Sequence, residues 1–451
     1  MNAQIKTLAA LIALTLAGST LAAVSPEEAA KLKTTLTPLG AERAGNKDGS
    51  IPAWTGGYTK APSGYQSGDV RPDFFPDEKP LYSITAENMA QYADKLTDGA
   101  KGLLQKYPNF RMDIYPTHRT AAAPQWYYDN TFENATRARL TGDGYRFEGA
   151  YGGVPFPITN NPKEMLLNHQ TAWTRGESAI SPSRCFTVSP SGKVTLVSDG
   201  IQNQQFPYNF KDGSLETYSG YFNVGHFVQS APASKAGESI LAHFPSDADE
   251  NIGLWQYLVG QRRVRRAPSV SYDTPDSVTS GAGFFDEAFM QFGPYDHHEY
   301  KLLGKQEMYV LYNNNRANAA QPEEIFTPDF LNPDLVRWEL HRVWVIDATL
   351  APGKRHVVAH RRFYLDEDSW QILLVDGWDA QGQLWRMTYT LTELAPDVPS
   401  LVANMAWGNY NFLTGGYYLN AATNGTTQFK VVPPRPDSFF SPDELANMSA
   451  R

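Results

Sequence analysis

The sequence predicts an α+β protein that is mainly β, and three observations predict it. First, 35 glycines and 31 prolines make up about 15% of the 451 residues, somewhat above average usage, which favours many turns over a helical bundle. Second, beyond Ser183 the apolar residues fall in short, often alternating runs divided by turn residues, which is the pattern of strands. Third, several links between those runs are about four residues long, which suits antiparallel neighbours. With 41% hydrophobic and 13% aromatic residues the chain can bury a sizeable core. A net charge of −9 offers no long-range attraction for polyanions, so no nucleic-acid partner is expected.

Residues 1–23 combine Lys6, an apolar run over 8–16 and small residues through Ala22 and Ala23, the pattern of a cleavable signal peptide. The run is shorter than the roughly 18 to 20 residues of a membrane span. A mature chain starting near Val24 keeps 38 basic residues against 48 acidic ones, a net −10. It is expected to be soluble and exported, and Cys185, the only cysteine, gives it no internal disulfide.

Ser25-Pro26-Glu27-Glu28 supplies a capping hydroxyl, a proline at the first helical position and a glutamate three residues after the cap, so a short helix runs to about Leu36. Residues 40–80 are dense in Gly, Pro and aromatics (Trp54, Tyr58, Tyr65, Phe74, Phe75) and read as an ordered extended arm wrapped on a body. Met89, Tyr92, Ala93, Leu96, Ala100 and Leu103 sit at helical spacing within 85–107, interrupted by Gly99 and Gly102. Asn161-Pro162-Lys163-Glu164 starts a third helix by the same logic as the first. Strands are expected at 184–189, 193–198, 215–229, 238–244 and 254–266. A meander follows over 300–312, 336–350, 355–365, 370–378 and 384–391, with Asp366-Glu367-Asp368-Ser369 and Ala380-Gln381-Gly382-Gln383 as turns. No repeat, low-complexity tract or Gly/Ser-rich linker divides the chain, so one continuous domain over 24–451 is expected.

Around Trp338 one parity carries Trp338, Leu340, Trp344, Ile346, Ala348 and Leu350, an apolar face interrupted by Arg342, and the other parity carries Glu339, His341, Asp347 and Thr349. Later strands carry Val357, Ala359, Phe363 and Leu365, then Trp370, Ile372 and Leu374. Such faces serve either as packed core or as the concave wall of a curved sheet that holds a ligand, and periodicity alone fits both.

No G-x-S-x-G elbow, Walker loop, G-x-G-x-x-G run, H-E-x-x-H helix or paired C-x-x-C is present, so neither an enzyme nor a cofactor is expected. His356 and His360 share a strand parity but lack a third ligand, and read as surface or ion-paired residues. His297-His298-Glu299 is adjacent rather than spaced, a weak metal candidate. Asp366, Glu367 and Asp368 read as a solvated hairpin turn rather than a glycosidase pair. The run Arg262-Arg263-Val264-Arg265-Arg266 is either a strand edge offset by the acidic surplus or a clamp for a phosphate or carboxylate. On a strand Arg263 and Arg265 would face one way, Arg262 and Arg266 the other.

Several stretches, in order, resemble domain-of-unknown-function family 1329, bacterial proteins labelled outer-membrane lipoprotein-sorting. They are Leu39-Gly40-Ala41-Glu42-Arg43-Ala44-Gly45-Asn46, Asp48-Gly49-Ser50-Ile51-Pro52-Ala53-Trp54-Thr55-Gly56-Gly57, Tyr115-Pro116-Thr117, Gly152-Gly153-Val154-Pro155-Phe156-Pro157-Ile158, Gly260-Gln261-Arg262-Arg263-Val264-Arg265-Arg266-Ala267-Pro268, Gly304-Lys305-Gln306-Glu307-Met308-Tyr309-Val310 and Phe363-Tyr364-Leu365-Asp366-Glu367-Asp368-Ser369-Trp370. The resemblance covers nearly the whole mature chain. It implies a fold similar to the periplasmic carriers LolA and LolB: a strongly curved antiparallel sheet, an incomplete barrel with helices plugging its concave side. It also implies company, a resistance-nodulation-division type exporter and an outer-membrane partner.

Together these readings lead to the expectation of a periplasmic carrier or chaperone that holds a lipid or other hydrophobic envelope molecule in a concave apolar groove, with no metal. Trp255, Tyr257, Trp338, Leu340, Trp344, Ile346, Trp370 and Ile372 are the expected lining, and Arg263 and Arg265 the expected contacts to an anionic headgroup. The alternatives are an envelope enzyme acting on glycan or polyester, and a ligand-free structural adaptor of an exporter.

Overall fold

The computed structural model describes residues 23–449 apart from 143, 248, 249, 251, 268, 269 and 404. Residues 1–22, nearly all of the expected leader, lie outside that set. Among the described residues no helix is long and apolar enough to cross a membrane.

Sixteen strands form one sheet. In chain order they are β1 (Tyr82–Ile84), β2 (Met112–Ile114), β3 (Ser178–Val188), β4 (Val194–Gln205), β5 (Tyr221–Ala231), β6 (Ser239–Pro245), β7 (Gly253–Leu258), β8 (Arg263–Arg266), β9 (His298–Leu311), β10 (Trp338–Leu350), β11 (His360–Asp366), β12 (Ile372–Trp378), β13 (Leu384–Thr390), β14 (Trp407–Asn411), β15 (Tyr417–Ala422) and β16 (Lys430–Val431). Two meanders, β3 to β8 and β9 to β15, join where β15 pairs antiparallel with β3, Tyr417 opposite Val188. The short β1–β2 pair attaches through one parallel bridge, Ile114 to Trp338, and β16 runs beside β3. The sheet is curved and is not closed into a barrel.

Local chemistry explains where the helices fall. The Ser25 hydroxyl accepts from Glu28 N at 3.2 Å and caps Pro26–Ala29, which tightens into the 3-10 turn Ala30–Lys33. The helical spacing over 85–107 divides in two: a 3-10 turn over Met89–Lys95, then helix α1 (Asp98–Lys106). Thr97 causes the break, because it is extended and accepts from Ala100 N at 3.0 Å as an N-cap. Gly99 inside α1 is a packing requirement, since a Cβ there would collide with Asp376 and Met387. Helix α2 (Gln125–Arg137) escapes hydrophobic periodicity because polar Thr131 and Asn134 lie on its buried face; Asn134 donates to the backbone of Tyr151 and Val154. Asn161 caps helix α3 (Pro162–Thr171) as expected.

Both faces of the β9–β15 meander are covered. On one, α1 lies over β12 and β13, and its Ala100, Leu103 and Leu104 share one buried cluster with Trp338, Leu340, Val343, Val345 and Met387. On the other, Tyr127 of α2, Met165 and Leu166 of α3 and Trp173 pack on Ile346, Ala348, Phe363, Leu365, Trp370 and Ile372. Each fully buried large apolar side chain contributes roughly 1.5–3 kcal/mol, so these two layers hold this half of the sheet. The C-terminal helix α4 (Pro442–Ser449) covers one face of β5–β7, Leu445 and Phe440 packing on Val224, Leu241 and Tyr257.

Candidate functional site

The opposite face of β4–β7 borders a cavity of about 210 Å³. Register builds its wall in cross-strand rows, because residues paired across an antiparallel sheet share a face. One row runs Gln202, Phe227, Ile240, Gln256; the next Gln204, Gly225, Ala242, Leu254; the last pairs Asn223 with Phe244. The segment over 270–292 lies across these rows as a roof and contributes Pro275, Asp276, Val278, Phe285, Phe289 and Phe292.

Buried charge pairs tie the roof to the other meander. Asp286 meets Arg361 at 2.8 Å and His356 Nε2 at 3.0 Å; Glu287 takes Arg386 Nε at 2.6 Å and Nη2 at 2.8 Å. Burial alone would raise Asp286, but Arg361 and His356 outweigh it and hold the carboxyl well below the usual range. Phe289 and Met290 have φ of 52° and 76°, a left-handed backbone that non-glycine residues rarely adopt.

The cavity is apolar with a polar strip. Gln202 Oε1, Gln204 Oε1 and Asn223 Oδ1 are buried without a hydrogen-bond partner among the described residues. Asp276 borders the same space, its carboxyl pushed up to about 6 by burial against the hydrogen bonds from Val278 and Thr279. Apolar walls with a few convergent polar groups are the usual composition of a small-molecule site.

The ten residues singled out from sequence lie elsewhere. Trp255 and Tyr257 are on the α4 side of β7, while their neighbours Leu254 and Gln256 face the cavity. Trp338 and Leu340 belong to the buried cluster that α1 shares; Trp344, Ile346, Trp370 and Ile372 lie under α2 and α3, with the Trp344 and Trp370 rings parallel at 6.4 Å. Trp370 is a turn residue with φ 62° rather than the start of a strand. Arg265 pairs with Gln256 and Arg263 with Leu258, so both stand on the cavity side of the β8 edge, exposed. The 254–266 run is a hairpin, not one strand, turning at Val259–Gln261 and at Arg262 with φ 49°.

A second polar cluster corrects the reading of Asp366-Glu367-Asp368 as a solvated turn: the three are 1%, 3% and 5% exposed. Their charges are met by basic side chains and by the N-terminal arm. Arg119 holds both Asp368 oxygens at 2.8 and 2.6 Å and donates to the carbonyls of Glu42 at 2.7 Å, Arg43 at 3.2 Å and Pro52 at 3.3 Å. Glu367 accepts from Glu42 N at 2.9 Å and Lys305 at 2.6 Å, and Trp370 Nε1 donates to Leu39 O at 2.6 Å. Asp366 accepts from Tyr312 and Ser369, and burial together with the Asp368 charge raises its pKa above the usual carboxylate range. The separate motifs at 39–54, 304–310 and 363–370 thus meet in one clasp.

His341, Asp366 and Asp368 bring one ligand atom each to within 4.8 Å of one another. Arg119 already occupies both Asp368 oxygens and His341 Nε2 bonds Glu339 at 3.0 Å, so the set fits an ion-pair network better than a cation. His356 and His360 are bonded to carboxylates, Asp286 and Asp347, in keeping with the ion-paired reading.

An open antiparallel sheet with a roofed, largely apolar cavity in one meander and a filled layer on each face of the other defines the class of molecule. The chain belongs to the protein family of unknown function DUF1329, whose model matches residues 83–446. It is 39% identical over 410 residues to the uncharacterized protein PA3922 of Pseudomonas aeruginosa, covering 89% of each. Among solved structures it is similar to a domain from Vibrio parahaemolyticus named for outer membrane lipoprotein sorting (TM-score 0.42, 14% identity, 63% of this chain and 97% of that one). It is also similar to a DUF1329 family protein from Desulfovibrio piger (TM-score 0.38, 13%, 60% and 92%) and to the LolA superfamily protein NE2245 from Nitrosomonas europaea (TM-score 0.37, 10%, 63% and 100%).

Proposed function

We propose that the chain is a periplasmic carrier that lodges the apolar part of a lipid or other hydrophobic envelope molecule between the β4–β7 rows and the 270–292 roof. The observation that carries this reading is the cavity itself: Phe227, Ile240, Ala242, Phe244 and Leu254 on one side, Phe285, Phe289 and Phe292 on the other, with unpartnered amide oxygens between. In this reading the 1–23 leader is removed, 24–451 works as one domain, and the cargo passes between an exporter of the resistance-nodulation-division type and an outer-membrane partner.

The cavity volume sets what fits. At ~30 Å³ per water-sized group, about 210 Å³ takes roughly seven such groups, below the range typical of drug-sized pockets. Seven methylenes at about 0.8 kcal/mol each contribute roughly 5–6 kcal/mol. A longer acyl chain extends out of the cavity mouth or enters further as the roof moves outward, and release follows when a partner binds the cargo better than the roofed cavity does.

Ala242 stands in the middle row with its side chain toward the cavity, so Ala242→Trp fills the space from the wall. The expected result is at least a tenfold loss of fluorescent fatty-acid uptake, with far-UV circular dichroism unchanged. Undiminished uptake in the folded variant overturns the assignment of this cavity as the cargo site.

A further inference from the structure

Arg175, in the link between α3 and β3, is 1% exposed, and its Nε and Nη2 have no hydrogen-bond partner among the described residues. These two nitrogens form the edge of a guanidinium that takes a carboxylate or phosphate with two parallel bonds. At three other buried arginines that edge is filled: Arg71 holds Asp397 with it, Arg119 holds Asp368 and Arg386 holds Glu287. At Arg175 the groups against it are aromatic, Phe206 and Phe289, whose ring centroids lie 5.3 and 5.9 Å from Cζ. Glu393 attracts it through space, but that carboxylate is bonded to Arg71 at 2.8 Å. Burial lowers the guanidinium to about 9, which shows how poorly its charge is compensated.

Arg175 reaches the cavity only through Phe289, the ring that stands between it and the lining. A void of about 30 Å³, the volume of one water, is bordered by Thr174, Phe206, Asn209, Asn223, Phe289 and Phe292. Asn223, Phe289 and Phe292 border the main cavity as well, so they are the partition between the two spaces. Asn209 Oδ1 and Asn223 Oδ1 are buried and unpartnered there. Phe289 has a left-handed backbone at φ 52°, a strain that persists where surroundings impose it and that clusters at ligand clamps and switches.

Resting on the carrier reading above, we propose that Arg175 is the headgroup site: an amphiphile with an anionic head, carboxylate or phosphate, enters tail and head together, Phe289 swings aside, and the head takes the Nε/Nη2 edge. The apolar tail stays between the β4–β7 rows and the roof. The exposed Arg263 and Arg265 then serve at most to draw the anion to the cavity side of the sheet edge.

The test is equilibrium binding of three probes with one twelve-carbon tail, dodecanoate, dodecyl phosphate and dodecanol, below micellar concentration, to the full mature chain. The wild type is expected to bind at least one anionic probe tenfold or more tighter than dodecanol, and the tighter of the two identifies the head. Arg175→Met is expected to bring the anionic probes to the dodecanol level and leave dodecanol unchanged. The double variant R263Q/R265Q, altered only at exposed positions, is expected to keep the preference, and it decides the matter if Arg175→Met does not fold. Equal binding of all three probes by the wild type, a preference that survives Arg175→Met, or one lost in R263Q/R265Q overturns the headgroup site while leaving the carrier standing. No binding of any probe overturns both.

Discussion

Replacing Arg119 by methionine is expected to destabilise the fold by about 3–5 kcal/mol, the usual cost of breaking a buried pair by removing one partner. Arg119 and Asp368 are 3% and 4% exposed at their side chains, and the bidentate contact is accompanied by guanidinium bonds to four backbone carbonyls of the arm, those of Glu42, Arg43, Ala44 and Pro52. Without it the Asp368 carboxylate stays buried beside Asp366 with its strongest countercharge gone, and the arm loses its main tether. Trp54 Nε1, which donates to Ala121 O at 3.0 Å, Trp370 Nε1 on Leu39 O and Glu42 N on Glu367 are among the anchors that remain. Urea unfolding of the mature chain measures the loss, and limited proteolysis should show new cleavage over 39–57. A loss below 1 kcal/mol with an arm as resistant as the wild type's contradicts the clasp.

Asp376→Asn is expected to act in the opposite direction, stabilising the protein above neutral pH. Asp376 is fully buried on β12; Tyr364 OH donates to its Oδ2 at 3.1 Å, and the Gly99 backbone N–H faces the carboxyl from α1. Burial, with Asp98 nearby, pushes its carboxyl from 3.8 up to about 7. The folded state therefore binds more protons than the unfolded chain between those values. Stability falls as pH rises through that window, and the penalty is complete above it. A shift of about three units at 1.36 kcal/mol each makes the penalty roughly 4 kcal/mol at most. Asparagine carries no charge to bury and still accepts from Tyr364, so the variant is expected to gain roughly 2–4 kcal/mol at pH 8 and close to nothing at pH 4. Equal stability changes at the two pH values would show that Asp376 is not held protonated.

Period-two alternation located the β9–β13 meander to within a few residues, because those strands bury one or both faces in apolar layers. It did not find β14 and β15, whose buried positions include Gly408, Asn409 and Asn420. The cavity was harder to see for two physical reasons. Adjacent residues on a strand face opposite sides, so choosing Trp255 and Tyr257 by size selected the face under α4, while smaller Leu254 and polar Gln256 make the wall. The roof has no regular period at all; its only sequence signal is Phe284, Phe285, Phe289 and Phe292 in a stretch otherwise rich in turn residues. The clasp was invisible because its charges are compensated by groups distant in sequence, 249 positions apart for Arg119 and Asp368 and 62 for Lys305 and Glu367. Acidic residues in a four-residue link look solvated until the arm that covers them is placed.

The carrier reading stands on where cargo sits, and photo-crosslinking with a diazirine-bearing fatty acid, followed by peptide mapping, reads that position directly. Label is expected in peptides of β5–β7 and of the 270–292 roof, and its yield is expected to fall with unlabelled competitor and in Ala242→Trp. Competitor-sensitive label confined to the strands from Trp338 to Trp378, or none above the background of an unrelated protein, would contradict it.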